Sequence, residues 1–428
     1  MTYTDAIASA RLNDLPESYA GLWDAFQALP QTKLWDDGYL IKKQALFGFC
    51  DELTAAVLRV KARIEADAAL DALARFVHWA IFVQTKPFLA EKPCAVLPGA
   101  LGDDKGLFGM VALINETPRT LETIENYGLD RKIIDNFKSL CNFANEYKKR
   151  EGHWGMDAFS WNCSCVVPYM NRCGHLSFEP TSIEYPYNYY IHKQTGESLI
   201  LMGEGVGCTG DGLMTSNNCP LPEAFKTVAA QGDGWIEGYR VNPLGFIERK
   251  TTRISPEDYD KVMKQWDVLL AFHIPSGPGY TVESTADSFD KAVKFFRKTF
   301  PDIDFKGIWC YSWLFSPLLQ LILTPEESAM VQIQRHCYQV PGWRDSGAYN
   351  RFVFKVDGDL TKIELPQKSR LHRRLAAIVH RGGYLTSGGM LLPNALVDKW
   401  QDTVYDYGDG LDVFRATQPY DAGDLLGL

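Results

Sequence analysis

The chain has 428 residues, 46% of them hydrophobic, with 44 Lys and Arg against 53 Asp and Glu and a formal net charge of −9. At roughly 150 residues per domain this predicts two to three domains with sizeable cores. The acidic balance argues against nucleic acid or an anionic membrane as a partner. No stretch reaches the ~18 uninterrupted apolar residues of a membrane span. The N-terminus lacks a basic start followed by an apolar core, so no secretory signal is read there. Ten cysteines are too few for a disulfide scaffold, and the expectation is a cytoplasmic protein with reduced thiols.

The first 150 residues read as helices. In 130–149, Ile133, Phe137, Leu140, Cys141, Ala144 and Tyr147 recur at helical spacing with charges between them. Stretches 52–66 and 71–83 read the same way, and 91–104, with two prolines and two glycines, is a loop between them.

From about Gly155 the texture changes to short strands, expected at 159–167, 173–178, 187–192 and 198–202, all rich in aromatic or β-branched residues. Residues 203–212 and the Asn217-Asn218 pair read as loops. Stretch 235–248 reads as one strand, bent near Pro243 and Gly245. The apolar run 268–274, bounded by Pro275, has the signature of a buried strand. After the turn Pro275-Ser276-Gly277-Pro278-Gly279, a helix is expected over 284–299, with Phe289, Ala292, Val293 and Phe296 on one face. A second apolar strand, 305–311, completes a strand–helix–strand unit whose two strands must be parallel. Beyond it are expected a short helix at 317–323, a helix at 325–338, a strand at 351–356 and a basic helix at 367–380, stopped by Gly382-Gly383.

Three constellations bear on chemistry. A strand leading through glycines to a helix N-terminus offers N–H groups and a favourable dipole to an anion such as a diphosphate. The turn matches neither GxGxxG nor GxxxxGK[ST], and Pro275 and Pro278 each remove a donor, so a rigid turn without ligand is the competing interpretation. Cys163-x-Cys165 and Cys173-x-His175 would share one face of a hairpin turning at 169–172, a set of four that suits tetrahedral zinc. The spacing is not that of a CxxC knuckle, so buried reduced thiols and no metal are expected. The basic helix carries Lys368, Arg370, Arg373, Arg374 and Arg381. Its apolar stripe of Leu371, Leu375 and Ile378 turns those charges toward solvent, with a phosphate clamp as the alternative.

The segments Phe272-His273-Ile274-Pro275-Ser276-Gly277-Pro278, Phe295-Phe296 and Cys310-Tyr311-Ser312-Trp313-Leu314 resemble a family of uncharacterised bacterial acyltransferases. That family pairs a helical N-terminal N-acyltransferase domain with a C-terminal domain of GNAT-like fold. Its upstream Leu-Gly-Arg-Leu-Gln-Phe-Glu strand is matched more loosely by Cys173 to Glu179, where His175 and Ser177 replace Arg and Gln. The likeness spans about 155–323 and, more faintly, 371–389. It implies an α+β protein: a helical domain over 1–154, a GNAT-like domain with a mixed sheet and flanking helices over 155–324, and an extension over 325–428 packed on it.

The resemblance further implies acyl-CoA as co-substrate, lying between two splayed parallel strands. Ser276, Gly277 and Gly279 would sit beneath its diphosphate, and Ser312 and Trp313 beside it. The GNAT turn consensus, Gln/Arg-x-x-Gly-x-Gly/Ala, is absent. Transfer to a small-molecule amine needs a base, for which Glu179 and then His273 are the candidates, and an acid for the departing thiolate, for which Tyr311 is. A catalytically silent module of the same fold, binding a ligand or a protein, is the alternative.

Overall fold

The computed structural model describes residues 1–30, 33–216 and 221–428, so the Asn217-Asn218 pair lies outside the described residues. The chain forms two compact units, Met1–Asn171 and Arg172–Leu428.

The first unit is helical. Helix Asp51–Ala66 buries Leu53, Val57, Val60 and Ile64 at helical spacing. An extended residue, Asp67, ends it and starts the next helix, Ala68–His78, its carboxylate accepting from the N–H groups of Ala69 (2.9 Å) and Leu70 (3.1 Å). All seven residues of Phe108–Ile114 are buried, the mark of a helix at the centre of a core. Stretch 130–149 becomes a 3₁₀ turn followed by helix Lys138–Glu151.

Residues 159–167, expected as a strand, instead form helix Phe159–Cys165. A short apolar run does not distinguish a buried strand from a buried helix. Here Phe159, Cys163 and Val166, one helical face, enter the core. Gly109 admits the helix, because a Cβ there would lie 2.7 Å from the Phe159 ring.

Among the described residues, the second unit holds two six-stranded sheets and one two-stranded pair. Its strands are β1 (Asn171–Cys173), β2 (Leu176–Ser182), β3 (Tyr187–His192), β4 (Ser198–Met202), β5 (Gly207–Cys208), β6 (Phe225–Lys226) and β7 (Ala229–Gly232), followed by β8 (Trp235–Asn242), β9 (Phe246–Ile254), β10 (Tyr259–Met263), β11 (Val268–His273), β12 (Gly307–Ser312), β13 (Tyr338–Val340) and β14 (Gly388–Pro393). The first sheet runs β1-β2-β11-β12-β14-β13. The second runs β10-β3-β4-β8-β7, with β9 also on β8, and β5 and β6 pair separately. Inner-face residues of both sheets, among them Tyr187, Ile200, Val241, Leu269, Trp309 and Leu391, share one core cluster.

Several sequence expectations change here. Stretch 235–248 is not one bent strand but the start of the β8–β9 hairpin, turning at Pro243 to Gly245, where Gly245 takes φ +100°. Residues 351–356 are not a strand. Arg351 and Phe352 are exposed together and Val353 and Phe354 buried together, and the segment forms the π-helical turn Tyr349–Phe354. The helix expected at 325–338 shortens to Ala329–Arg335, and its last residue begins β13. On helix Arg370–His380 the cations do not all face solvent. Arg374 is buried at 2% exposure, donating to the carbonyls of Ile322 (2.6 Å) and Leu426 and to Glu327 (2.8 Å).

No helix among the described residues is long and apolar enough to cross a membrane.

Candidate active site

The site is built on β2, β11 and β12. Strand β11 pairs antiparallel with β2 along its whole length, with Glu179 opposite Ala271 and Ser177 opposite His273. Strand β12 pairs antiparallel with β14 from Gly307 to Ser312. Between them, β11 and β12 are parallel, and their ladder holds only Leu270 with Ile308 and Ala271 with Trp309. Beyond that point each strand stays bound to its outer neighbour while the inner ladder stops. The strands therefore part at their C-terminal ends, and Phe272–His273 and Cys310–Ser312 do not continue the pairing.

Alternation along the strands sets what faces what. Phe178 and Phe272 turn to helix Val282–Thr299, where Phe289 meets both rings at 6.2 and 5.3 Å between centroids. The opposite face presents Glu179, His273, Trp309 and Tyr311. His273 Nε2 lies 2.9 Å from Glu179 Oε1, the imidazole 31% and the carboxylate 13% exposed. His273 and Tyr311 each stand two residues past the last pair of the β11–β12 ladder, so they flank the opening between those strands.

Tyr311 stacks on Trp343, ring centroids 4.4 Å apart, and its hydroxyl accepts the Trp343 N–H at 3.4 Å. Burial pushes its pKa above the ordinary tyrosine value, so it holds its proton at neutral pH. Tyr185 closes the aromatic wall against Trp309 and Trp343 at 6.1 and 5.5 Å. Trp343 had no local signal in the sequence, because only the path of β13 brings it over β12.

The glycine turn connects β11 to the long helix, and Ser276, Gly277, Pro278 and Gly279 are exposed. Thr281 and Ser284 cap the helix reciprocally, and Ser284 Oγ also donates to the Gly279 carbonyl at 2.6 Å. Gly277 and Gly279 take φ +112° and +104°, a region L side chains rarely adopt. A Cβ on Gly277 would meet no atom within 4 Å, whereas one on Gly279 would lie 3.1 Å from the His175 ring. The floor of the turn is thus His175, whose N–H donates to Ser288 Oγ at 2.9 Å on the same helix.

Glu179, His273 and Tyr311 share one sheet face, and Ser276, Gly277 and Gly279 share the turn at its end. Ser312 and Trp313 are engaged locally instead. Ser312 Oγ accepts the Leu314 N–H at 3.3 Å, and Trp313 leans on Tyr349 at 5.7 Å. The expected cysteine hairpin does not form: Cys163 and Cys165 lie on a helix of the first unit, while Cys173 ends β1 and His175 sits in the turn after it. Among the described residues no three or more His, Cys, Asp or Glu side chains group to hold a metal ion. Cys310 is fully buried, and burial raises its thiol pKa well above the usual value.

Comparison with known proteins agrees with this architecture. Residues 170–391 match the family described as the GNAT-like C-terminal domain, and residues 44–164 match the N-acyltransferase N-terminal domain. No curated protein matches the chain. Among solved structures, an acyltransferase in complex with decanoyl-CoA superposes with a TM-score of 0.57 at 15% identity, covering 92% of this chain and all of that one. A mutant acyltransferase with octanoyl-CoA gives 0.55 at 16% identity, and an acyltransferase with decanoyl-CoA and teicoplanin gives 0.54 at 16%, both with the same coverage. The fold is therefore that of acyltransferases solved with acyl-CoA.

Proposed function

The chain belongs to the GNAT-like C-terminal domain family, whose match covers more than half of it, and from that premise we propose that it is an acyl-CoA-dependent N-acyltransferase acting on a small-molecule amine in the cytoplasm. The observation that carries this is the parting of β11 and β12 with the Glu179–His273 pair at its rim. An opening in a parallel pair leaves strand N–H and C=O groups available to an extended amide-bearing ligand. The exposed turn beyond it, with open space over Gly277, suits a diphosphate. The neighbour solved with teicoplanin supports a small-molecule acceptor.

Bound acyl-CoA supplies an electrophilic thioester carbonyl. Glu179 and His273 take the proton of the attacking amine, a carboxylate–imidazole couple in which each group orients the other. Strand N–H groups at the opening stabilise the charge that develops on the carbonyl oxygen. As the new C–N bond forms and the C–S bond breaks, Tyr311 gives its proton to the leaving thiolate and regains one from water. Trp343, stacked on Tyr311, holds that hydroxyl in place.

The silent-module alternative rests on the turn, where Pro275 and Pro278 remove two donors and the GNAT consensus is missing. Thermal unfolding with acetyl-CoA and a longer acyl-CoA, followed by thiol release with a panel of amines, tests both. At a thioester concentration 100 times Kd, stability should rise by about 2.7 kcal/mol. Binding without thiol release from any amine favours the module, and no binding of either thioester rejects the acyltransferase.

A further inference from the structure

A buried carboxylate is costly unless a cation or several donors meet it. Asp211, only 9% exposed, accepts from two hydroxyls, Tyr384 Oη at 2.6 Å and Thr209 Oγ1, and both donors are neutral. Beside it, Arg249 is anchored by donating to the Gly210 carbonyl at 2.6 Å and by lying over the Phe225 ring at 5.6 Å, its side chain otherwise exposed. Asp211 and Arg249 carry opposite charges. Together they line a cavity of about 500 Å³ whose other walls include Tyr384, Thr417 and Gln418. Both also line an adjoining cavity of about 320 Å³, where Phe246, Ile247, Val413 and Phe414 supply an apolar wall.

We propose that this double cavity is a second ligand site, separate from the acyl-transfer cleft, and that it takes a small zwitterion of the α-amino-acid type with an apolar side chain. The ammonium group pairs with Asp211 and fills the lone pairs its two hydroxyl partners leave. The carboxylate pairs with the Arg249 fork. The side chain lies along exposed Val413, over the edge of the stacked Phe246 and Phe414 rings, whose centroids are 5.6 Å apart. A ligand with one charge engages only one of the two, Asp211 or Arg249, whereas a zwitterion engages both, which is why a zwitterion is the chemical class selected. None of these residues belongs to β2, β11, β12 or the glycine turn.

Calorimetry on the full chain with L-phenylalanine and L-leucine tests the site, with phenethylamine and 3-phenylpropionate as single-charge probes. Saturable binding of the amino acids, at least tenfold tighter than either probe, is expected. Arg249→Ala, at an exposed position, should weaken L-phenylalanine at least tenfold and leave phenethylamine unchanged. Asp211→Asn keeps an oxygen for Tyr384 and should do the reverse, weakening L-phenylalanine while leaving 3-phenylpropionate unchanged. If the melting curve shows that Asp211→Asn unfolds the chain, Arg249→Ala decides alone. Absence of saturable amino-acid binding, equal binding by Arg249→Ala, or phenethylamine binding as tightly as L-phenylalanine overturns the proposal.

Discussion

On one face of β2 and β11, Phe178 and Phe272 lie buried against Phe289 of helix Val282–Thr299; one residue along each strand, on the other face, Glu179 and His273 meet at 2.9 Å beside an opening. The same two strands therefore carry an apolar anchor and a polar pair without either disturbing the other. Period-two alternation makes this possible, since each side chain points away from its neighbours in sequence. The packed face is what makes the polar face useful. A carboxylate and an imidazole keep hydrogen-bond geometry because their backbones are clamped from behind by close-packed rings.

The largest break in that comparison is expected at Glu179. Glu179→Gln keeps the shape and an oxygen facing His273 but removes the charge, and kcat should fall about 10²- to 10⁴-fold while the denaturation midpoint hardly moves. Unchanged turnover in steady-state kinetics would place the base elsewhere. The packed face should respond the opposite way. Phe289→Ala should cost about 3–5 kcal/mol in equilibrium unfolding, with the Kd for CoA of the folded protein unaltered. A variant that loses CoA affinity without losing stability would show that the helix acts on the ligand rather than through packing.

Smaller effects sharpen the picture at the rim. Gly277→Val adds bulk where no protein atom lies within 4 Å, so any steric loss falls on a ligand, while the positive φ adds backbone strain. Loss of one charge-assisted bond, about 1.5–3 kcal/mol, should raise the Kd for CoA roughly 10- to 150-fold by calorimetry. Lost stability with unchanged CoA affinity would assign the turn a purely structural role. Tyr311→Phe removes only the proton offered to a thiolate that already leaves readily, and about a tenfold fall in kcat is expected. A rate unchanged across the pH range would release Tyr311 from the acid role and leave it as packing for Trp343.

Local patterns were enough for most of the elements that hold the site, but the strand read at 173–178 is instead the end of β1, a turn at Gly174-His175 and the start of β2, which runs on to Ser182. The strands at 187–192, 198–202, 268–274 and 305–311 and the helix at 284–299 were legible in the sequence because alternation, helical period and Pro/Gly stops are properties of neighbouring residues. Glu179 and His273 are candidates through the family resemblance, from residue type and their place near strand ends. Their contact was not legible. They stand 94 residues apart, and only the register of β2 on β11 puts them side by side. Tertiary structure also decided that 159–165 is a helix, since a short apolar run takes whichever form its surroundings satisfy. It buried Arg374 against Glu327 on a helix whose charges read as solvated. It inserted β14, from the far end of the chain, between β12 and β13, and it ended the β11–β12 ladder after two residue pairs. Each of these outcomes depends on pairings between distant segments, whose free energies are set by packing in the assembled unit and leave no trace in any local stretch of sequence.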